Sequence, residues 1–125
     1  MWTWWLAVGS ILSAISIGIG AFGAHALKGR LTPDDTAIFE TASKYLTSQS
    51  LGIIVVALCM SRLDSVALKI AAYAMTFGIL IFSGSLYAII GTGLRGLGAI
   101  TPIGGVLLIA AWLLVAFAAI SAHWA

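Results

Sequence analysis

Charged residues are scarce in this sequence. Asp, Glu, Lys and Arg together make up 8% of its 125 residues, whereas soluble domains carry about 25%. So few charges cannot cover the surface of a water-soluble domain, which excludes that class of protein. The formal net charge of +2 is also too small to suggest a nucleic-acid partner.

Cysteine and metal-ligand spacings are also scarce. Cys59 is the only cysteine, so no internal disulfide can form, and its apolar surroundings favour an inert buried thiol. His25 has no second ligand at metal-binding spacing, and His123 falls on the predicted opposite side of the membrane. The sequence contains no nucleophile–base pair and no nucleotide-binding fingerprint in the right context. We therefore expect no metal, no cofactor and no enzymatic activity.

Apolar sequence, in contrast, is abundant, at 62% of residues. Four stretches approach the roughly 20 residues that cross a bilayer as a helix. They lie at about residues 2–23, 42–60, 70–90 and 102–120. Short connections force neighbouring helices to run antiparallel. The predicted fold is therefore an all-α integral membrane protein, one four-transmembrane-helix bundle over residues 1–125, with the lipid bilayer as its surroundings.

The first connection carries a helix start of its own. Thr32 is a candidate N-cap, Pro33 suits the first helical position, and Asp34 favours the positive end of a helix. The pattern predicts a short amphipathic helical segment that lies at the membrane interface and continues into the second span. On its polar side, Glu40 and Lys44 have the spacing of an i,i+4 ion pair.

Basic residues predict the orientation, because Lys and Arg are enriched in cytoplasmic connections. Connections one and three carry Lys28, Arg30, Lys44 and Arg95, whereas connection two carries Arg62 and Lys69. We therefore expect a cytoplasmic (inner) membrane protein with connections one and three in the cytoplasm and both termini outside. The tryptophans are compatible with four spans, since indoles prefer the interface and four would lie at one of them: Trp2, Trp4, Trp5 and Trp124.

Few polar side chains fall within or beside the predicted spans. A buried amide in lipid needs partners, so Gln49 is more consistent with a clamp between helices than with a substrate path, and Tyr87 is a candidate partner. His25 marks the exit of the first span. The candidate polar or packing site comprises His25, Gln49, Ser83, Ser85, Tyr87 and Thr101.

Small residues recur at four-residue spacing in the first span, as in Gly9 and Ser13, or Ser16 and Gly20. Such spacing lets membrane helices approach closely. The glycines before His25 are accordingly predicted to form a packing face. The glycines of residues 91–96 match GxGxxG only superficially, because they follow a membrane helix, so we expect a turn there.

Several segments together resemble the domain-of-unknown-function 423 family, which includes the eukaryotic transmembrane protein 256. They are AFGAHALK at residues 21–28, FETA at 39–42 with Tyr45, FSGSLY at 82–87, and GAITPIGG at 98–105 with Trp112. The resemblance implies a four-helix membrane protein with no established activity. The family pattern has histidine where this chain has Gln49. That departure disfavours paired-histidine chemistry and leaves His25 and Gln49 as a possible hydrogen-bonding pair.

Two functions follow as hypotheses. The first is a structural or accessory component that forms a homo-oligomer or joins a larger membrane complex, because buried ionisable groups are few. The alternative is a small-molecule or ion carrier with a polar site near His25 and Gln49, since the break at Thr101-Pro102 resembles the broken helices of transporters. A membrane enzyme has least support, because Ser83 and Ser85 have no evident base.

Overall fold

Four long helices make up most of the chain. The computed structural model describes residues 1–122, and in that range four helices are long and apolar enough to cross a membrane. We name them α1 (Trp2–Leu27), α2 (Pro33–Met60), α3 (Val66–Thr92) and α4 (Thr101–Ser121), the last preceded by a 3₁₀ turn at Arg95–Ala99. The predicted all-α, four-span class is confirmed. The expectations for His123 and Trp124 concern residues outside the described range.

Three helix ends follow directly from local sequence. The Thr32 hydroxyl accepts a hydrogen bond from the Asp35 amide at 3.1 Å, and Pro33 opens α2. The predicted amphipathic segment is therefore the first part of one continuous helix. At the start of α3, the Ser65 hydroxyl accepts from the Leu68 amide in the same way. At its end, Gly93 adopts a φ of +74°, which favours glycine, and terminates the helix.

The helices pack in chain order. The extensive interfaces join α1 to α2, α2 to α3 and α3 to α4. Within residues 1–122 no comparable interface joins α1 to α4, so the bundle is open along that side. The core lies between α2, α3 and α4, where fully buried side chains include Ile53, Val56, Met75 and Ile79. Helices α2 and α3 are therefore central, and α1 and α4 flank them.

Glycines allow the closest helix contacts. A methyl group on Gly104 would lie 2.5 Å from the backbone nitrogen of Phe82 and 2.6 Å from the carbonyl oxygen of Gly78. Helices α3 and α4 therefore touch backbone to backbone. Gly9 has the same role between α1 and α2, where a methyl group would lie 2.7 Å from Ile54.

The predicted packing face at the end of α1 is wrong for Gly18 and Gly20. Nothing lies within 4 Å of a methyl group built on either residue. The residues of α1 that are buried against the bundle are Trp5, Gly9 and Ser16. Gly20 follows Ser16 at four-residue spacing but is not buried. The helix also changes from α to π geometry at Gly18–Gly23, which shifts the later residues around the axis.

Of the N-terminal tryptophans, Trp5 faces the core of the bundle. Its side chain is 5% exposed and packs edge-on against Tyr73 of α3, with ring centroids 4.7 Å apart. Trp4, by contrast, is 68% exposed. Helix periodicity separates the two, because adjacent residues point in different directions around α1.

We predict that Gly104→Ala destabilises the protein by about 1–3 kcal/mol, because the new methyl group must displace backbone atoms of α3. Gly105→Ala is the matched control, since a methyl group there meets only the Phe82 ring at ordinary contact distance, 3.8 Å. Unfolding of the purified protein in mixed micelles by increasing fractions of SDS measures both. Equal stability of the two variants would contradict the backbone contact.

Candidate functional site

Ser85 and Thr101 of the candidate site meet where α3 and α4 approach each other. Their hydroxyl oxygens lie 2.5 Å apart, and the Ser85 hydroxyl is also 3.0 Å from the Phe82 carbonyl oxygen. Thr101 is the first residue of α4, so the hydrogen bond joins that helix start to α3. The pair is a link between helices.

Ser83 and Tyr87 link α3 to α2 one turn apart. The Ser83 hydroxyl is buried and donates to the Ala42 carbonyl oxygen at 2.8 Å. The Tyr87 hydroxyl lies 2.8 Å from the Ser43 hydroxyl, and its ring packs edge-on against Phe39 with centroids 5.8 Å apart. Tyr87 is thus bonded to Ser43, and its suggested pairing with Gln49 is not formed.

Gln49 joins α2 to α4. The Trp112 indole Nε1 donates to Gln49 Oε1 at 2.8 Å, and Gln49 Nε2 donates to the Ser48 hydroxyl at 3.2 Å. Both residues border a cavity of ≈300 Å³ that is also lined by Tyr45 and Phe82. Trp112 additionally lies against Gly52, where a methyl group would come within 2.8 Å of the indole. The amide and the indole therefore fix one another across the helices.

His25 lies apart from these clusters. Its side chain is exposed on the last turn of α1, and within residues 1–122 it makes no side-chain hydrogen bond or ion pair. The suggested pair of His25 and Gln49 is not formed, because the Gln49 amide is bonded to Trp112 and Ser48. In the same range no three His, Cys, Asp or Glu side chains converge as metal ligands.

An ion pair that the sequence reasoning missed closes one end of the bundle. Arg95 Nη2 lies 2.8 Å from Asp35 Oδ1, and the carboxylate side chain is only 18% exposed. The pair joins the start of α2 to the 3₁₀ turn before α4, so connections one and three lie at the same end. The antiparallel topology and the opposite charges of the two connections were the sequence features that could have indicated this ion pair. They do not specify which carboxylate is the partner.

The predicted ion pair of Glu40 and Lys44 is not formed. Within residues 1–122 the ion pairs are Asp35 with Arg95 and Asp64 with Lys69. The Lys44 ammonium instead lies 5.9 Å from the centroid of the Tyr45 ring. Glu40 and Lys44 border an open cavity at this end of the bundle. Neither charge has an ionic partner within residues 1–122.

This cavity has a volume of ≈660 Å³. It lies between the C-terminal end of α1, the first connection and the N-terminal half of α2. Its lining includes Gly20, Lys28, Phe39, Glu40, Lys44 and Thr47. The Thr47 hydroxyl is hydrogen-bonded to Ser16 of α1, which closes the inner end. One residue of the π-helical segment, Gly20, contributes to the lining, and no residue pattern predicted that segment.

The fold and these clusters define a class: a small four-span membrane protein whose polar side chains link its helices. The family described as "Protein of unknown function (DUF423)" matches residues 19–105. The chain belongs to that family, which confirms the resemblance in the sequence. The matched region includes all six candidate residues and the whole of the ≈660 Å³ cavity lining.

Relatives of similar length agree with this assignment. The chain is 42% identical over 113 residues to a UPF0382 membrane protein of Staphylococcus epidermidis, covering 90% of this chain and 92% of the relative. It is 37% identical over 116 residues to the UPF0382 membrane protein YwdK of Bacillus subtilis, covering 92% and 94%. No solved structure matches the chain. The relatives' names support the multi-pass membrane class.

We predict a favourable coupling free energy of about 0.6 kcal/mol, and at most about 1.7, between Gln49 and Trp112, as is typical of hydrogen bonds between membrane helices. The variants Gln49→Leu, Trp112→Phe and their combination form a double-mutant cycle, with stability measured in mixed micelles. Gln49→Leu combined with Trp4→Phe is the control, since Trp4 is exposed. Strictly additive effects in the Trp112 cycle would show that the contact contributes nothing.

Proposed function

We propose that this protein is a structural or accessory component of the membrane. The observation that carries the proposal is the use of its polar side chains: five of the six candidate residues bond to a neighbouring helix or to a residue on one. A carrier needs polar groups that are available to a passing solute. Here these five side chains are engaged in holding helices together, whereas Ser10, Ser50 and Thr76 bond to their own helix and the buried Ser13 hydroxyl has no partner within residues 1–122.

The proposal includes the absence of enzymatic activity. The Ser83 hydroxyl donates to a backbone carbonyl group, and the Ser85 hydroxyl shares its hydrogen bond with Thr101. Neither is bonded to a side chain that can take a proton, as an activated nucleophile requires. The polar site assumed by the carrier hypothesis also lacks support, because the His25 and Gln49 side chains do not converge on one site.

We further propose that α1 contacts a second copy of this chain. Helix α1 is the least buried of the four spans. Of its apolar 18-residue segment, 11% is buried inside the bundle, against 33% for α2 and 39% for α3. Ser10, Ala14 and Gly18 follow one another at four-residue spacing, and none of the three is buried. Membrane helices associate through such spacing because the backbones can approach closely. A two-fold axis along the membrane normal would pair the two α1 helices side by side.

We predict that Gly18→Leu weakens self-association about tenfold, the equivalent of about 1.4 kcal/mol. The leucine would separate the two helices, whereas the fold of one copy has room for it, since nothing lies within 4 Å of a methyl group there. Gly84→Leu is the matched control, because Gly84 of α3 has equally open surroundings. Cross-linking across a range of protein-to-lipid ratios measures the effect.

If the wild-type protein remains a single copy at every protein-to-lipid ratio, the self-association is refuted. Equal weakening by Gly18→Leu and Gly84→Leu would remove α1 as the interface. In that case the accessory role would require a different partner chain.

For the orientation, we propose that connections one and three face the cytoplasm. Four of the six Lys and Arg residues, Lys28, Arg30, Lys44 and Arg95, lie at that end of the bundle. The ion pair between Asp35 and Arg95 keeps the two connections together. The N-terminus lies at the other end, where Met1 and Trp2 border a cavity with Asp64 and Lys69.

We predict that an impermeant maleimide added to intact cells labels Ser61→Cys and spares Gly96→Cys. Both substitutions are made on a Cys59→Ala background, and both positions are exposed and uncharged, so the basic residues that set orientation stay in place. Permeabilised cells are the control for reactivity and should label both. The reverse pattern in intact cells would invert the topology.

A further inference from the structure

The ≈660 Å³ cavity between α1 and α2 has the charges and the position of a lipid-binding site. It lies where α1 ends at Leu27 and α2 begins at Pro33, a level at which lipid headgroups meet a spanning protein. Its volume falls within the roughly 300–1,000 Å³ of small-molecule sites. It is partly open to its surroundings, so a ligand can enter it.

The charged groups on its lining have no ionic partner within residues 1–122. Lys28, Lys44 and Glu40 are among the lining residues. None of the three takes part in the ion pairs of the described range, Asp35 with Arg95 and Asp64 with Lys69. The Lys44 ammonium also lies 5.9 Å from the centroid of the Tyr45 ring. Basic pockets between membrane helices bind phosphate headgroups, and a lone phosphate would leave the carboxylate without a complement.

The opposite end of the bundle gives an internal comparison. The cavity there is smaller, ≈290 Å³, and its charged residues Asp64 and Lys69 are already paired at 3.3 Å. Unpaired charges of both signs therefore distinguish the larger cavity. Leu27, Leu31 and Phe39 form its apolar walls, which suit the glycerol and the first carbons of acyl chains.

The backbone of α1 is modified at this place. The π-helical segment Gly18–Gly23 runs along the wall, and Gly20, which has no side chain, lines the cavity. Single π-helical turns interrupt the regular hydrogen bonding of a helix and occur frequently at functional sites. The segment makes room here without any contact to a neighbouring helix at Gly20.

We propose that this cavity binds one amine-bearing phospholipid of the phosphatidylethanolamine type. Lys28 and Lys44 contact its phosphate group, and Glu40 contacts its ammonium group. The apolar walls of the cavity contact the glycerol and the first carbons of its acyl chains. Binding to a single copy of the chain is sufficient, so the site is independent of the self-association proposed above.

Native mass spectrometry of the detergent-released protein tests this binding, with phosphatidylethanolamine, phosphatidylglycerol and diacylglycerol added separately at equal concentrations. We expect the first to bind most tightly. Lys28→Gln combined with Lys44→Gln should weaken it about tenfold or more, because charge-assisted hydrogen bonds are lost. The matched control is Arg62→Gln combined with Lys69→Gln, which removes two cations at the opposite end and should leave binding unchanged.

Two further variants test the recognition of the lipid's amine group and the need for open space in the cavity. Glu40→Gln should abolish the preference for phosphatidylethanolamine over phosphatidylglycerol. Gly20→Leu should occupy the cavity and reduce the binding of every lipid, whereas Gly84→Leu, placed on open surface of α3, should not. Retained thermal unfolding temperatures would show that these variants fold normally.

Three results would overturn the proposal. The first is diacylglycerol binding as tightly as phosphatidylethanolamine, which would mean that the phosphate is not recognised. The second is an equal loss in the lysine variant and in its opposite-end control. The third is phosphatidylglycerol binding as tightly as phosphatidylethanolamine in the wild-type protein, which would exclude a role for Glu40 in recognising an amine.

Discussion

The hydrocarbon region of a bilayer offers no water to a polar group, and the arrangement of this protein depends on that constraint. A hydroxyl or amide group within a span is therefore stabilised by bonding to its own helix or to a neighbour, and among the described residues the buried Ser13 hydroxyl is an exception. Three side chains here bond to a neighbouring helix: Ser83 to α2, Ser85 to the start of α4, and Gln49 to Trp112. Each bond is weak, but each is formed only in one register. Together with the backbone contact at Gly104, they select a single way for α2, α3 and α4 to fit.

Much of the fold could be predicted from the sequence, because span length and hydropathy depend on local composition. The four spans, the Thr32-Pro33 helix start and the family likeness were all readable in this way. The partners of polar groups were not. Gln49 was predicted to act as a clamp, yet its partner Trp112 lies two helices further along the chain. Spacing indicates that a side chain needs a partner and leaves the identity of that partner to the packing of the helices.

Some of what the sequence did not predict depends on the direction of side chains around a helix. Trp5 turns into the core while Trp4 faces outward. Gly18 and Gly20 belong to a glycine-rich run but make no close contact. Residue type and spacing were correct at each of these positions. The face that meets a neighbour is decided by interfaces elsewhere in the molecule, which a single helix does not encode.

The π-helical segment also sets the phase of α1. Before it, Trp5, Gly9 and Ser16 turn toward the bundle; after it, Ala24, Leu27 and Lys28 border the cavity. Each residue turns an α-helix by about 100°, so one residue more or fewer in Gly18–Gly23 would rotate the whole C-terminal end of α1. The length of this segment therefore determines which side chains α1 presents at the membrane surface for a given packing of its first part against the bundle. A change in length there would alter that surface while leaving the core of the protein intact.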